Sequence, residues 1–381
     1  MRCTNLHIAS LRNHHQTTID DLAEGFNIFI GSNGAGKTTL IEALSVAALT
    51  KSFTSAPDSV LVLDGGNSYS IDARFLSSNS VPLHVSIEYK SGPPARKTIV
   101  VNNDKLRRSS DLIGRIPIVA LSPDDKIITG GSPEERRRFL SMVLSQASSI
   151  YLDDEIELRK AIKHRNSLLS DAKQKGVSVA AIRPMLAPWT SVVIERSARI
   201  MSRRALFIEE FRPFLEKVYK QLSAGSETPS LQYCPLGSEE PFDRAAFLEL
   251  LTAEFQRRET EEIRRGTTLV GAHRDEMLLL IDGNREARKY ASQGQHKTLL
   301  VSMKLAEFHY LHDATSELPI LLLDDIFSEL DAERSARTLE LISSGEYGQT
   351  FITSTTRESF DTLMRFSERD KIYTVEQGTV K

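Results

Sequence analysis

The sequence has few cysteines, little excess charge and no long apolar run. Its 381 residues include two cysteines, which are too few for a disulfide framework and lack the spacing of a zinc site. The formal net charge is -3, so any contact with nucleic acid must come from local basic patches. No 18-residue apolar stretch occurs, and the first residues lack the apolar segment of a signal peptide. These absences predict a soluble protein of the cytoplasm with free thiols at Cys3 and Cys234.

The chain is long enough for two or three domains, since it is 40% hydrophobic and 26% charged over 381 residues. Residues 1–125 and 266–381 alternate apolar runs with helical patterns, whereas residues 126–265 are rich in charge and helix formers. We therefore predict an α/β fold in which the first and last parts are halves of one domain. The middle part, 126–265, is predicted to be a helical insertion.

Local patterns place the main elements. Short apolar runs predict buried strands at "FNIFI", "ILLLDD" and "QTFITST", and alternating residues between Tyr69 and Val101 predict an antiparallel sheet. Helices are predicted at 37–49, 152–173, 185–222 and 243–265. A further helix is predicted to begin with Ser132 as its N-cap, Pro133 at its first position and Glu135 completing a capping box.

The stretch "GSNGAGKT" matches the phosphate-binding loop pattern of Gly, four residues, Gly, Lys and Ser or Thr. It follows a predicted strand and opens a predicted helix, as such a loop requires. Lys37 is expected to reach the β and γ phosphates, and the Thr38 hydroxyl to complete the coordination of Mg²⁺. The residues predicted to bind ATP here are Gly31, Ser32, Asn33, Gly34, Ala35, Gly36, Lys37, Thr38 and Thr39.

The stretch "ILLLDD" supplies a second half of such a site. A buried strand that ends in acids places one carboxylate, Asp324, on Mg²⁺ and the next, Asp325, near the attacking water. The catalytic residues are therefore predicted to be Lys37, Asp324 and Asp325, with Thr38 and Asp324 as the magnesium ligands. The long separation of the two motifs excludes a compact small-GTPase plan and favours a split nucleotide domain.

Small polar residues stand just before another helix-forming run, at Ser292, Gln293, Gly294 and Gln295. Because they precede an acid-tipped strand, they resemble the signature loop of ABC ATPases, which closes on ATP held by a second subunit. An ordinary serine-capped helix is the alternative. The D-loop of ABC ATPases follows the acidic pair, and this chain has Ser328, Glu329, Leu330 and Asp331 there. This stretch favours the interpretation as a signature loop.

The sequence is similar to one family over almost its whole length: RecF, the bacterial recombinational repair ATPase related to SMC proteins. The similarity rests on "LRNH", "GSNGAGKTTLIEAL", "LSPDD", "GSPEERRRFL", "KHRNSLL", "GAHRDE", "ASQGQHKTLL", "KLAEF" and "LLLDDIFSELD". It implies the head of an ABC/SMC-type P-loop ATPase that acts in the cytoplasm at the nucleoid. It further implies an ATP-dependent homodimer on single-stranded or gapped DNA that works with RecO and RecR to load RecA.

Some positions depart from the family pattern. The family usually has Ser-His-Arg after the first helix, where this chain has Ser52, Phe53 and Thr54. A proline is usual before "HRD", and this chain has Ala272 there. A common Gln-Arg pair is replaced by His296 and Lys297. The position after the last core strand holds Thr353 rather than the histidine of transporter ATPases, as is ordinary for RecF.

Other residues carry weaker predictions. Arg12 either contacts nucleotide, as an N-terminal arginine does in SMC relatives, or forms a surface salt bridge. Two basic clusters are candidate DNA contacts, although most charge runs are solvated faces. They comprise Lys105, Arg107, Arg108 and Arg115, and then Arg136, Arg137 and Arg138. Residues His273, Arg274 and Asp275 are open to three roles: binding ATP, bracing an interface or touching DNA.

Two other functions remain alternatives at this stage. A transporter ATPase subunit normally has Ser-Gly-Gly-Gln and a switch histidine, and the chain has neither. A structural clamp of the SMC or zinc-hook type needs hundreds of heptad residues, which an insertion of this length does not provide. The sequence therefore favours a slow, DNA-dependent ATPase that acts as a switch.

Overall fold

The computed structural model describes residues 1–223, 227–237, 243–357, 360–361 and 364–381. The chain forms two compact units, the first built from residues 1–126, 217–226 and 293–381 and the second from 127–216 and 227–292. The segment 266–292, predicted as part of the last ATPase lobe, thus belongs to the second unit. The division into domains at 125 and 265 stays a prediction.

The first unit contains an antiparallel sheet in the order β2-β1-β4-β5-β6-β7. Its strands are β1 (Arg2–Leu11), β2 (His14–Ile19), β4 (Ser68–Leu76), β5 (Pro82–Lys90), β6 (Arg96–Val101) and β7 (Asp104–Lys105). Alternate residues of β4 are buried, as one-sided packing of a strand requires. The predicted antiparallel sheet between Tyr69 and Val101 is confirmed, whereas β1 and β2 extend it beyond the prediction.

A second sheet of the first unit has the order β15-β14-β3-β13-β12-β8. Its strands are β3 (Phe26–Ile30), β8 (Ile118–Leu121), β12 (Ile320–Asp324), β13 (Thr350–Ser354), β14 (Lys371–Glu376) and β15 (Thr379–Val380). All pairs are parallel except β14 with β15. Every residue of β12 and β13 is buried, which is typical of parallel strands covered on both faces. The three predicted strands are confirmed.

Helix α1 (Lys37–Leu49) packs against strands of both sheets, including β4 and β13, and is buried almost all round. The unit is completed by α2 (Asp58–Leu61), α9 (Gln293–Thr315), α10 (Ile326–Glu329) and α11 (Ala332–Ile342). Because β3, β12 and β13 run parallel, the segments that follow them emerge at one edge of the sheet. That edge brings the predicted site residues together.

The second unit is mainly helical and includes a three-stranded antiparallel sheet in the order β11-β10-β9. The strands are β9 (Pro229–Cys234), β10 (Glu276–Ile281) and β11 (Arg285–Glu286). The helices are α3 (Ile127–Gly130), α4 (Pro133–Ala147), α5 (Ser149–Lys175), α6 (Val179–Leu222), α7 (Arg244–Arg265) and α8 (Ala287–Tyr290), and the last six residues of α6 belong to the first unit. The predicted helices are confirmed, and α6 begins six residues earlier than predicted and continues through Pro184 and Pro188.

The capping prediction for α4 is half right. Ser132 is the N-cap residue and Pro133 occupies the first helical position. The Ser132 side chain makes no capping hydrogen bond, because the Glu135 N–H donates instead to the Ser132 backbone oxygen at 3.1 Å. The predicted capping box is therefore wrong.

Of the helices in the described ranges, none combines the length and the apolar character that crossing a membrane demands.

Candidate nucleotide-binding site

The predicted phosphate loop joins β3 to α1 at the carboxyl edge of the parallel sheet. β3 ends at Ile30 and α1 begins at Lys37, so the loop fills the turn between them. Gly36, just before α1, has a φ of 107°, a backbone conformation that glycine adopts without strain. Three loop residues are exposed: Ser32, Asn33 and Gly34. The loop therefore presents backbone groups to solvent at the start of a buried helix, as an anion site requires.

Lys37 lies at the base of this loop and is 7% exposed. Its Nζ donates to the carbonyl oxygens of Gly31 at 2.8 Å and Ser32 at 2.9 Å. Burial lowers the pKa of Lys37, and the charges of Asp325 and Asp324 act in the opposite direction. The ammonium group is thus positioned beside the loop and within the field of both carboxylates, which suits it to neutralise phosphate charge.

The structure brings Thr38 and Asp324 together, although 286 residues separate them. Oδ1 of Asp324 accepts hydrogen bonds from Thr38 Oγ1 at 2.8 Å and from Thr353 Oγ1 at 2.7 Å. Burial raises the pKa of Asp324, against the effect of these two hydroxyl donors. A hydroxyl and a carboxylate at this separation fit a magnesium ion that also binds phosphate oxygens, because Mg²⁺ prefers oxygen ligands.

Asp325 is half-buried and borders a cleft of about 230 Å³. Its φ of 47° is unusual for a residue with a side chain, and its backbone N–H donates to Thr353 Oγ1 at 3.0 Å. The cleft is lined by Asn13, Asn33, Gly34, Gly36, Lys37, Thr38, Thr39, Asp325 and Thr353. Sequence patterns did not predict Asn13 as part of the cleft, and its position inside "LRNH" was the only signal for it.

Arg12 forms a salt bridge with Glu42 of α1. Its Nε and a terminal nitrogen donate to the two carboxylate oxygens at 3.0 and 3.1 Å. Glu42 is buried and also accepts from Ser52 Oγ at 2.5 Å and Thr54 Oγ1 at 3.0 Å. Ser52 and Thr54, which stand where the family usually has Ser-His-Arg, thus donate hydrogen bonds to the buried Glu42 carboxylate. A contact between Arg12 and nucleotide stays a prediction.

The signature segment Ser292–Gln295 leads into α9, which begins at Gln293. Ser292 and Gln293 are exposed, whereas Gly294 is half-buried. Arg334 lies so close to Gly294 that a Cβ on that glycine would be 2.8 Å from its guanidinium nitrogen. Sequence analysis missed Arg334, whose Nε donates to Thr298 Oγ1 of α9 at 2.9 Å.

The predicted D-loop spans the short helix α10 and the start of α11. Ser328 Oγ donates to the Asp325 carbonyl oxygen at 2.8 Å. Asp331 caps α11 by accepting from the Arg334 N–H at 2.9 Å, and it also pairs with the Arg334 side chain. Leu330 is half-buried, and the side chain of Glu329 lies outside the described part of the chain. Through Arg334, the D-loop contacts the signature helix of the same chain.

The "GAHRDE" motif lies in the second unit, where Asp275 is buried within an ion network. Arg204 donates to Asp275 Oδ2 at 2.7 Å and to Glu155 Oε1 at 2.8 Å, and Tyr233 donates its hydroxyl to Asp275. His273 Nε2 contacts the Thr268 carbonyl oxygen at 3.3 Å. These contacts support a structural role for Asp275, a possibility that the sequence analysis did not weigh.

The basic clusters differ in exposure. Lys105, Arg107, Arg108 and Arg115 are all exposed on the first unit. In the second unit, Arg136 is 3% exposed and its guanidinium is bound to Glu276 at 2.9 and 3.0 Å. The prediction that Arg136 is a DNA contact is therefore wrong, because its side chain forms a buried ion pair. Arg137 is half-buried and donates to the Asp275 carbonyl oxygen at 2.6 Å, and Arg138 is exposed.

Comparison with known proteins identifies relatives over almost the whole chain. The family model of the RecF/RecN/SMC N-terminal domain matches residues 2–381. The DNA replication and repair protein RecF of Salinibacter ruber is 38% identical over 357 residues, which are 93% of this chain and 85% of that protein. RecF of Chloroherpeton thalassium is 38% identical over 362 residues, covering 94% and 96% of the two chains.

Solved structures give the same answer for the fold. A structure of the recombination mediator protein RecF-ATP in the RecFOR pathway aligns with a TM-score of 0.89 at 27% identity, covering 100% of this chain and 96% of that one. The corresponding RecF-ATPrS structure aligns at 0.88 with 28% identity and covers 100% and 97%. An Smc head domain from Pyrococcus furiosus shares the fold, with a TM-score of 0.56 at 16% identity and coverage of 100% and 95%.

Proposed function

The chain belongs to the RecF family within the RecF/RecN/SMC group, and from that premise we propose that it is an ATP-dependent DNA-binding protein of DNA replication and repair. The observation that carries this proposal is the pairing of Thr38 and Asp324 beside Lys37 at the end of a phosphate loop. Relatives named as DNA replication and repair proteins support the biological setting. The site of action is then the cytoplasm, at the nucleoid.

ATP would be held by residues 31–39, and its magnesium ion by Thr38 and Asp324. The ion supplies charge neutralisation at the phosphates when it is bound. Lys37 holds positive charge at the same place, and Thr353 keeps Asp324 oriented through the bond to Oδ1. The cleft fits these groups because its lining combines loop backbone, the Lys37 side chain, hydroxyl groups and the Asp325 carboxylate, and a structure of a relative with ATP supports the assignment.

Ser292–Gln295 would complete the site of a second copy of the chain, rather than the site in its own subunit. The exposure of Ser292 and Gln293 before the long helix α9 supports this arrangement, since the amides of a helix N-terminus favour an anion. The D-loop residues 328–331 follow Asp325 directly and would lie at the same interface. Two ATP molecules would then close a homodimer.

Hydrolysis would be slow and would act as a timer. Asp325 carries the catalytic position in this proposal, and its side chain is one methylene shorter than the glutamate of many ABC ATPases. A displacement of about 1 Å between reacting groups costs roughly 100-fold in rate. The Asp325 backbone N–H donates to Thr353 Oγ1 at 3.0 Å, and this hydrogen bond holds the unusual backbone conformation of Asp325. The backbone is therefore restrained from shifting the short side chain closer to the attacking water.

DNA contact would come from exposed basic residues of the two subunits together. Lys105, Arg107, Arg108 and Arg115 form the main candidate surface, with Arg137 and Arg138 as weaker candidates. Since the net charge is -3, one subunit offers limited attraction for phosphates, and pairing two patches increases it. The clamped substrate would be single-stranded or gapped duplex DNA. RecO and RecR type mediators would then promote the loading of RecA.

The proposal is tested by measuring the mass of the full chain with and without magnesium-ATP, and then with gapped DNA. We expect ATP to convert the monomer to a dimer, and gapped DNA to bind only in that state. The logarithm of the binding constant should fall against the logarithm of salt with a slope of roughly -0.9 per phosphate contacted. Equal DNA binding by the nucleotide-free monomer at moderate salt contradicts the switch. A single-turnover rate as fast as that of a transporter ATPase contradicts the timer.

A further inference from the structure

Three consecutive carbonyl groups of the phosphate loop accept hydrogen bonds from outside the loop. Asn13 Nδ2 donates to the Gly34 oxygen at 3.1 Å, and the Gly378 backbone N–H donates to the Ala35 oxygen at 2.9 Å. His14 Nε2 lies 3.0 Å from the Gly36 oxygen. Since a carbonyl oxygen only accepts, this ring nitrogen carries the hydrogen.

The three donors come from two β-hairpin turns that are far apart in sequence. Asn13 and His14 lie where β1 turns into β2, and Gly378 lies in the turn between β14 and β15. Gln377 and Gly378 have φ values of 47° and 76°, as a two-residue turn with positive φ at both central positions requires. We call Asn13, His14 and Gly378 the hairpin brace.

A buried threonine joins the two hairpins. Thr17 Oγ1 lies 2.8 Å from His14 Nδ1 and 3.0 Å from the Gly378 carbonyl oxygen, and its one hydroxyl hydrogen can serve either acceptor. His14 is 0% exposed and Thr17 is 6% exposed, so water does not compete for these bonds. Thr17 therefore links His14 to Gly378 in the interior, and Asn13 is the chain neighbour of His14 in the same turn.

Two glycines, Gly36 of the loop and Gly378 of the brace, lie too close to their neighbours to carry a side chain. A Cβ on Gly36 would lie 2.4 Å from His14 Nε2, and a Cβ on Gly378 would lie 2.3 Å from the Asn13 carbonyl oxygen. Both distances are far shorter than ordinary carbon contacts. The close approach of the first hairpin to the loop thus depends on glycine at position 36, and the close approach of the two hairpins to each other depends on glycine at position 378.

Holding a carbonyl group also fixes the direction of an amide. The C=O of one residue and the N–H of the next share a planar trans peptide unit and point in opposite directions. Because the hairpins hold the oxygens of Ala35 and Gly36, the N–H groups of Gly36 and Lys37 point away from the hairpins. Backbone amides aligned in this way form an anion-binding concavity.

We propose that Asn13, His14 and Gly378 are positioning residues for nucleotide binding, because they hold the phosphate loop with its amides directed at the phosphates. This inference rests on the proposed function, in which that loop binds ATP. It assigns to the "LRNH" motif and to the last hairpin a role in affinity for phosphates.

The first test compares two glycines that have similar φ values and different surroundings. Gly378 has a φ of 76° and meets Asn13, whereas Gly65 has a φ of 74° and a Cβ there would meet nothing within 4 Å. We expect Gly378→Ala in the full chain to weaken binding of fluorescent ATP and ADP analogues roughly tenfold. Gly65→Ala also places a side chain at a positive φ, and this variant should bind both nucleotides like the wild type.

The second test compares two asparagines that each donate to a backbone carbonyl. Asn13→Ala should weaken the binding of both nucleotides about fivefold, the effect of losing one hydrogen bond. The matched control is Asn27→Ala, which removes the bond from Asn27 Nδ2 to the Ala23 oxygen at 2.9 Å. That control lies at the amino end of β3 and should lower the melting temperature without changing nucleotide affinity.

A third pair tests positioning against simple packing. His14→Phe keeps an aromatic ring but removes the donor, whereas His14→Gln retains an amide donor at a similar reach. We expect the phenylalanine variant to lose affinity and the glutamine variant to recover most of it, with melting temperatures measured for both.

Wild-type affinity in Asn13→Ala and Gly378→Ala overturns the inference. So does an equal loss in Gly65→Ala or Asn27→Ala, which would make the effect one of general stability. If Gly378→Ala does not fold, the half-buried Asn13 decides the matter. A wild-type chain that fails to bind ATP refutes the proposed function itself, whereas sound wild-type binding with unaffected variants refutes the brace alone.

Discussion

Two clusters of charge, one in each compact unit, are built in opposite ways. In the second unit, the buried Arg204 network consists of Arg204, Asp275, Glu155, Tyr151, Tyr233 and Ser141, and its groups bond to one another. In the first unit, Lys37 and Asp325 line a cleft, and Asp324 accepts hydrogen bonds on one oxygen from Thr38 and Thr353, which also line it. The Arg204 network pairs opposite charges with one another in the interior, whereas Lys37 and Asp325 border a cleft that is open to solvent.

A buried ionisable residue in a motif that resembles the RecF family, such as Asp275 in "GAHRDE", is therefore not by itself evidence for a binding site. Burial raises the pKa of Asp275, against the opposing charge of Arg204. Burial also opposes the charge on Arg204, but Asp275 and its other partners raise the pKa of Arg204 well above its ordinary value. Such a network requires all of its members, because removing one leaves an unpaired buried charge.

The largest effect is expected from Arg204→Met. It leaves the carboxylates of Asp275 and Glu155 without their buried cation, so unfolding should become easier by about 3–5 kcal/mol. The matched control, Arg212→Met on the same helix α6, breaks only an exposed pair with Glu209 and should change stability by less than about 0.5 kcal/mol. Chemical denaturation of the two variants measures the difference. A difference within error would mean that the network does not stabilise the fold.

The next effect concerns the other cluster. Lys37→Met removes the ammonium group beside the phosphate loop and should weaken ATP binding by roughly 100-fold, the value of a strong charge-assisted contact. Stability should change little, because Lys37 donates only to two loop carbonyls of the same turn. Calorimetric titration with ATP measures the loss, and an unchanged affinity would refute the assignment of the loop.

The smallest effect is expected from Asp324→Asn without nucleotide. Burial raises the pKa of Asp324, so its ionised form is less favourable in the folded than in the unfolded chain. The resulting loss of folding stability is absent below the ordinary aspartate pKa and reaches its full size above the raised pKa of Asp324. The asparagine variant, which can still accept from Thr38 and Thr353, should therefore melt at a higher temperature near neutral pH, with the gain shrinking as the pH falls.

Magnesium-dependent ATP binding should be lost in the same Asp324→Asn variant. Melting curves across a pH series measure the first effect and nucleotide titration the second. A variant that is less stable than the wild type near neutral pH would show that the carboxylate supports the fold, and would remove the contrast with the Arg204 network.

The elements of the nucleotide site were predictable because each lies on a local pattern. The loop of residues 31–38 has fixed spacing, and Asp324 ends a short apolar run that predicts a buried strand. Parallel pairing then requires that the ends of β3 and β12 lie at one edge. The convergence of Thr38 with Asp324 is thus a consequence of strand order.

The Arg204 network was not predictable from the sequence. Asp275 stands 71 residues from Arg204 and 42 from Tyr233, and no helical or strand period connects such positions. Arg136 gives the same lesson, since three adjacent arginines were predicted as candidate DNA contacts, while Glu276, 140 residues away, holds the first of them in the interior. The β1–β2 hairpin was missed because His14–Ile19 alternates few apolar residues.

The most direct test of the account is ATP binding by Ser292→Arg at concentrations where the wild type is a monomer. In the proposed dimer, Ser292 contacts the nucleotide of a second copy, so the variant should bind ATP as tightly as the wild type. It should nevertheless fail to dimerise, because the bulky cation blocks closure. If Ser292→Arg loses ATP binding as a monomer, the signature segment belongs to its own subunit's pocket, and the proposed dimer mechanism is wrong.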